Sequence, residues 1–190
     1  MSQDLTWGKI GEWLAGPTGP IWIEVVKMLH RRQIYRGFLE ICRQAPDEVR
    51  DSGGEFQRWV MANYYRAQTV AIRSLNDTDR RTKSIRRLLE ALKTVPEFEA
   101  ESSADLKRLE VAVKPVKEFV DKRVAHLEDL NAREAAMHEI TWDEIDRCVD
   151  LYRDVLVHYN KRVLNATLIP EPVITGHWEH AFTLPWIRGA

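Results

Sequence analysis

The sequence predicts an all-α fold: a bundle of four to five helices followed by an aromatic, extended C-terminal tail. Three observations carry that prediction. Apolar residues recur at steps of three and four through most of the chain. No stretch alternates apolar and polar residues for long enough to build a strand. Breakers stand where the periodic runs meet: Gly16-Pro17-Thr18-Gly19-Pro20, Ala45-Pro46, Ser52-Gly53-Gly54, Pro96, and Pro170 with Pro172 and Gly176. The resulting organisation is an N-terminal extension over 1–20, a helical bundle over 21–165, and a tail over 166–190. That tail is expected to pack on the bundle or on a dimer partner.

Taken in order, the extension can hold a short helix around Leu5 to Leu14 that lays Trp7 and Trp13 on the body. Pro20 suits the first turn of the next helix, which runs to about Gln44 with Trp22, Val25, Val26, Leu29, Phe38, Leu39 and Cys42 on one broad stripe. Gly37 is a candidate bend. Glu55 opens the following helix, in which Phe56, Trp59, Val60, Asn63, Tyr64, Ala67, Val70 and Ala71 read as the apolar stripe. Asp77-Thr78-Asp79 then forms a polar connection or a charged lip beside a cleft. Thr82 or Ser84 caps a shorter helix carrying Ile85, Leu88, Leu89 and Leu92, which Pro96 stops.

Glu97 to Ser103 is acidic and poorly patterned, so it reads as a loop, with Ser103 capping a long helix to about Ala136. Leu106, Leu109, Val113, Val116, Val120 and Leu127 form its core side, and Pro115 should kink it. The last helix has the cleanest pattern. Thr141 with Glu144 three residues on is a capping box, and Trp142, Ile145, Val149, Tyr152, Leu156 and Tyr159 follow at helical spacing.

Composition excludes several function classes. Lys and Arg number 28 against 29 Asp and Glu, so no global field attracts nucleic acid and any such binding depends on a local patch. Cys42 and Cys148 lie far apart within helical patterns and read as buried free thiols in a reducing compartment. No apolar run reaches the length of a membrane span, and the N-terminus lacks the basic-then-apolar order of a signal peptide. A cytoplasmic protein is expected. His177 and His180 flank Glu179, and His138 and Cys148 lie elsewhere, but no helical His-Glu-x-x-His or paired-cysteine framework occurs. No metal and no cofactor are expected. Phosphate-binding glycine loops and serine nucleophile elbows are likewise missing from the sequence.

Local basic clusters do exist: Arg31-Arg32, Arg73, and Arg80, Arg81, Lys83, Arg86 and Arg87. Such a run is usually a solvated face, and Asp77 and Asp79 can neutralise part of it. The sharper feature is Phe119 to Glu128. Arg123 and His126 lie three residues apart, so on a helix they share a face, beside the apolar positions Phe119 and Leu130. The plainer reading is a polar network at the rim of the core that ties two helices together. The functional one is a cation and an imidazole held ready for a phosphate.

The turn Asp121-Lys122-Arg123-Val124-Ala125-His126-Leu127 resembles the HEPN superfamily, most closely its AbiU-type abortive-infection branch. Tyr65 to Asp77, Ser84 to Glu90, and the closing Phe182-Thr183-Leu184-Pro185-Trp186 resemble that branch too, so the likeness spans about residues 20 to 186. It implies a bundle of about four core helices, a homodimer, and metal-independent RNA cleavage. His126 would be the general acid/base on the ribose 2′-hydroxyl or the leaving oxygen, and Arg123 the phosphate clamp. Asp121, Lys122, Arg73, Asp77 and Asp79 would contact substrate. RNA and an antitoxin or other defence-system protein are the implied partners.

The chain departs from the family pattern at one point. The family arginine commonly lies six residues before the histidine, where this sequence has Val120. Two readings follow: a ribonuclease toxin or phage-defence effector in which Arg123 substitutes, or an inactive HEPN-like module that binds RNA or protein.

Overall fold

A computed structural model describes residues 7–44, 54–123, 140–173 and 176–182. Among the described residues there are six α-helices and no strand: α1 (Trp7–Leu14), α2 (Pro20–Gln44), α3 (Gly54–Leu75), α4 (Ile85–Leu92), α5 (Glu99–Arg123) and α6 (Trp142–Leu164). Short 3-10 turns lie at Gly16–Thr18 and Trp178–Phe182. The four long helices α2, α3, α5 and α6 pack on one another, while α1 and α4 close one side of the bundle.

Local chemistry explains several element ends. Pro20 begins α2, where its missing N–H costs nothing. Ser84 caps α4: its hydroxyl accepts from the Arg87 N–H at 3.2 Å and donates to the Asp77 carbonyl at 2.6 Å. The Thr141–Glu144 capping box is complete, with Thr141 N–H donating to Glu144 Oε2 at 2.7 Å and Glu144 N–H donating to Thr141 Oγ1 at 3.2 Å. Asn165 ends α6 in the left-handed conformation, φ 52°, which asparagine tolerates better than most residues.

The start of α5 corrects the sequence reading. The helix begins at Glu99, so 99–103 is not loop and Ser103 is not its cap. Glu99 and Glu101 sit in the first turn, where negative charge complements the helix dipole. Phe98, only 2% exposed, anchors the entry. Helix α5 also continues through Pro115. Helix α2 likewise runs past Gly37 to Gln44. The missing side chain of Gly37 makes room for Trp178, whose Cζ2 would lie 2.9 Å from an added Cβ. The tail thus rests on α2 through an aromatic ring over a glycine.

One core runs through the bundle. Helix α4 commits Ile85, Leu88, Leu89 and Leu92 to it, all fully buried, and Ile10, Trp13 and Leu14 of α1 join them. Each such aliphatic side chain stabilises the fold by roughly 1.5–3 kcal/mol relative to exposure. Buried polar contacts fix the helices against one another. Tyr152 Oη donates to the Ile72 carbonyl at 2.8 Å, Gln68 Nε2 to the Met28 carbonyl at 2.9 Å, and Cys148 Sγ to the Ala112 carbonyl at 3.2 Å. Cys148 is a buried free thiol and Cys42 a half-buried one. No helix among the described residues is long and apolar enough to cross a membrane.

Candidate functional site

The last turns of α5 carry the stretch singled out by sequence. Val120 is 4% exposed and packs in the core, so position 120 faces inward and continues the apolar row of Val113 and Val116. The next residue must then point away from that row, about 100° around the helix. Asp121 does so, and its Oδ1 accepts from Arg73 Nε at 3.0 Å. Arg73 comes from the final turn of α3, so the pair bridges α3 and α5. Lys122 and Arg123 complete α5. His126 lies outside the described residues, as do Leu127 and Leu130.

Arg73 and Asp121 are therefore brought together from positions 48 residues apart. Both are about half exposed, so the pair is open to solvent and to a ligand. Asp77 and Asp79 act within the α3–α4 connection. Asp77 accepts from the Asp79 N–H at 2.9 Å, and Asp79 accepts from the Arg81 N–H at 2.9 Å and from Arg81 Nη2 at 2.7 Å. The Arg81 bonds hold the Asp79 carboxyl at about 2, well below its ordinary value. Arg87 Nη1 donates to the Arg80 and Thr82 carbonyls at 2.5 and 2.6 Å, and its guanidinium lies 5.2 Å from the Trp13 ring centre. Arg86 pairs with Glu90 at 3.1 Å. Three of the five cations in the Arg80–Arg87 cluster thus hold the loop and its helix in place.

An aromatic block is built from three helices. Tyr35 of α2 stacks on Tyr64 of α3 at 4.3 Å and on Trp142 of α6 at 4.7 Å, while Tyr65 meets Trp142 at 3.9 Å. Burial, with neighbouring Tyr65 and Tyr64, pushes the Tyr35 hydroxyl up to about 12, so it stays neutral. Next to the block, Arg32 of α2, nearly buried, reaches Asp150 of α6 at 2.9 Å, and Arg36 reaches Asp146 at 2.5 Å. These contacts hold α2, α3 and the start of α6 as one unit.

Sequence reasoning misplaced one set of residues. Phe56, Trp59 and Val70 read as core, yet they are 51%, 62% and 45% exposed. The buried face of α3 is instead Tyr64, Gln68, Thr69, Ala71, Ile72 and Leu75. Two interleaved rows at helical spacing exist in this helix, and the polar Gln68 and Thr69 disguised the inward one. Both are satisfied locally: Thr69 donates to the Tyr65 carbonyl at 2.8 Å and Gln68 to Met28. The outward row could have been found by following Trp59 to Asn63, Arg66, Val70 and Arg73, all at steps of three and four.

Among the described residues no group of three or more His, Cys, Asp or Glu side chains is placed to hold a metal ion. His177 and His180 stack at 4.9 Å in the tail, away from any such group. Comparison with known proteins adds one finding. A HEPN-type family model described as AbiU2 matches residues 21–181, from the second residue of α2 through nearly the whole final 3-10 turn. No curated protein and no solved structure matches the chain.

Proposed function

The chain belongs to the HEPN-type AbiU2 family, and on that premise we propose that it acts on RNA as a metal-independent endoribonuclease of the abortive-infection type. His126 moves the proton. As base it takes the proton of a ribose 2′-hydroxyl; the 2′-oxygen attacks the adjacent phosphorus and the 5′-oxygen leaves, reprotonated by the imidazolium or by water. The products are a 2′,3′-cyclic phosphate and a 5′-hydroxyl. Positioned acid–base transfer of this kind contributes roughly 10²–10⁴-fold in rate. Arg123 neutralises the charge that grows on the phosphate.

The observation that carries this reading is the Arg73–Asp121 pair, 3.0 Å apart between the final turn of α3 and the last turn of α5, with Asp121 five residues before His126 in sequence. It supports a role for Arg73 as a second phosphate ligand. The guanidinium that position 120 cannot offer, because Val120 is buried, comes from α3 instead. Asp121 orients it. A homodimer, and an antitoxin or other defence-system protein as partner, belong to the same proposal.

The buried Val120 also favours a second reading, a non-catalytic RNA-binding or protein-binding module. One experiment separates the two. Single-stranded RNA is incubated with wild type and with His126→Ala in excess EDTA. Cleavage by wild type that the variant lacks supports the nuclease. Equal products from both remove it and leave the binding module.

A further inference from the structure

We propose that the outward face of α3 is a track for single-stranded RNA: Trp59 and Phe56 stack on bases, and Arg66 and Arg73 hold phosphates on the way to the end of α5. This rests on the RNA reading above and names the strand's path.

The face is built at helical register. Phe56, Trp59, Asn63, Arg66, Val70 and Arg73 follow at steps of three, four, three, four and three, so they form one row along the helix. Trp59 is 62% exposed and Phe56 51%, and their rings stack on each other at 6.0 Å. Exposed aromatic area of this kind marks an interaction surface. From Phe56 to Leu75 the helix has three arginines and neither Asp nor Glu. Arg66 is exposed and has no ion-pair partner among the described residues. From Trp59 to Arg73 the row rises about 21 Å, long enough for a short run of nucleotides.

A groove of about 660 Å³ between α2 and α3 borders the row. Asn63, Arg66, Val70 and Ser74 line one wall, and Arg31 and Lys83 stand on the rim. Glu24 is the one acid lining it, held by Arg31 at 3.4 Å and Lys27 at 3.5 Å. Glu55, at the start of α3, lies beyond the aromatic end. A single strand offers both things this face asks for, flat unpaired bases and a regular row of negative charge. A duplex hides the bases and cannot use Trp59 and Phe56.

The test uses the His126→Ala chain, to prevent cutting, and a fluorescein-labelled 12-nucleotide single-stranded RNA followed by anisotropy. Adding Trp59→Ala should weaken Kd by roughly 5- to 150-fold, the range of one base–aromatic stack. Adding Arg66→Ala instead should weaken Kd and flatten the salt dependence by about 0.7 in log–log slope, the signature of one lost phosphate contact. Affinity for a duplex RNA of the same length should not respond to Trp59→Ala. Both residues are exposed, and circular dichroism with sedimentation verifies fold and assembly. The proposal is overturned if both variants bind the single strand within twofold of their parent. It is equally overturned if Trp59→Ala splits an assembly while RNA affinity is unchanged, since the face then holds protein. The nuclease reading stands through either result as long as wild type cleaves and His126→Ala does not. Conversely, Trp59-dependent binding without any cleavage keeps the track and removes the nuclease.

Discussion

Replacing Arg73 by alanine separates a structural from a functional role for the Arg73–Asp121 pair. At 3.0 Å in a water-like dielectric two unit charges attract by about 1.4 kcal/mol. Both side chains are nearly half exposed, and exposed pairs of this kind contribute about 0.2–1 kcal/mol after screening and side-chain entropy. For a chain of this length a 1 kcal/mol loss lowers Tm by about 2–4 °C. Arg73→Ala should therefore melt no more than about 4 °C below wild type. If Arg73 holds a phosphate in the transition state, its removal costs far more in rate, about 10²–10³-fold by analogy with the loss of one preorganised charge-stabilising donor. The assay is single-turnover cleavage of a labelled single-stranded RNA in EDTA, with thermal melts of the same preparations. Asp121→Asn keeps the guanidinium and loses only its orientation, so its rate should fall between the two. The reasoning is refuted if Arg73→Ala cuts within threefold of wild type. It is also refuted if the variant melts 10 °C lower, because the pair is then a structural tie.

Three other expectations follow from the same structure. Leu88→Ala empties a fully buried position on the short α4 and should cost about 2–5 kcal/mol, read from urea unfolding; a loss under 1 kcal/mol would mean α4 is loosely packed. Gly37→Ala puts a methyl 2.9 Å from Trp178 Cζ2, so the tail ring must shift; the expected change is faster limited proteolysis near Trp178 with little change in Tm, and unaltered cutting contradicts that contact. The third is an alkaline stability limit. Burial pushes the Cys148 thiol and the Tyr35 hydroxyl up to about 12, from ordinary values of 9.0 and 10.0. Between about pH 9 and 12 the unfolded chain releases these protons while the folded chain keeps them, so stability is full below 9 and declines as pH rises. Melting curves from pH 8 to 11 should show Tm falling, and a flat profile would contradict the buried neutral thiol and phenol.

How much of this was legible in the sequence depends on the range of the forces involved. Thr141 and Glu144 announced α6 because a capping box is closed by residues three apart. For α4 the sequence offered Thr82 or Ser84 as cap, and the structure selects Ser84. The start of α5 was misread because Glu97 to Ser103 has no apolar period; what fixes it is the buried Phe98 and acids at a helix N-terminus, neither of which a periodicity count registers. Gly37 suggested a bend on local propensity; that it also seats a ring 141 residues away in sequence is a tertiary fact with no local signal. Trp59 looked like core because large aromatics usually are. Only the burial of Gln68 and Thr69 shows that α3 is turned to present the tryptophan outward. For the candidate site, Val120 on the core stripe was readable from its spacing with Val113 and Val116. The salt bridge between Arg73 and Asp121 is set by the packing of α3 on α5 and has no local signature.

The proposed chemistry, RNA cleavage through a ribose 2′-hydroxyl with His126 as the proton carrier, makes a sharp demand on the substrate. The most direct measurement uses a DNA strand carrying a single ribonucleotide, incubated in EDTA with wild type and with His126→Ala, and the product ends identified by mass. The account expects one cut, on the 3′ side of that ribose, leaving a 2′,3′-cyclic phosphate and a 5′-hydroxyl, in the wild-type reaction alone. An intact strand with wild type, a cut at any deoxynucleotide, or the same cut by His126→Ala would contradict it.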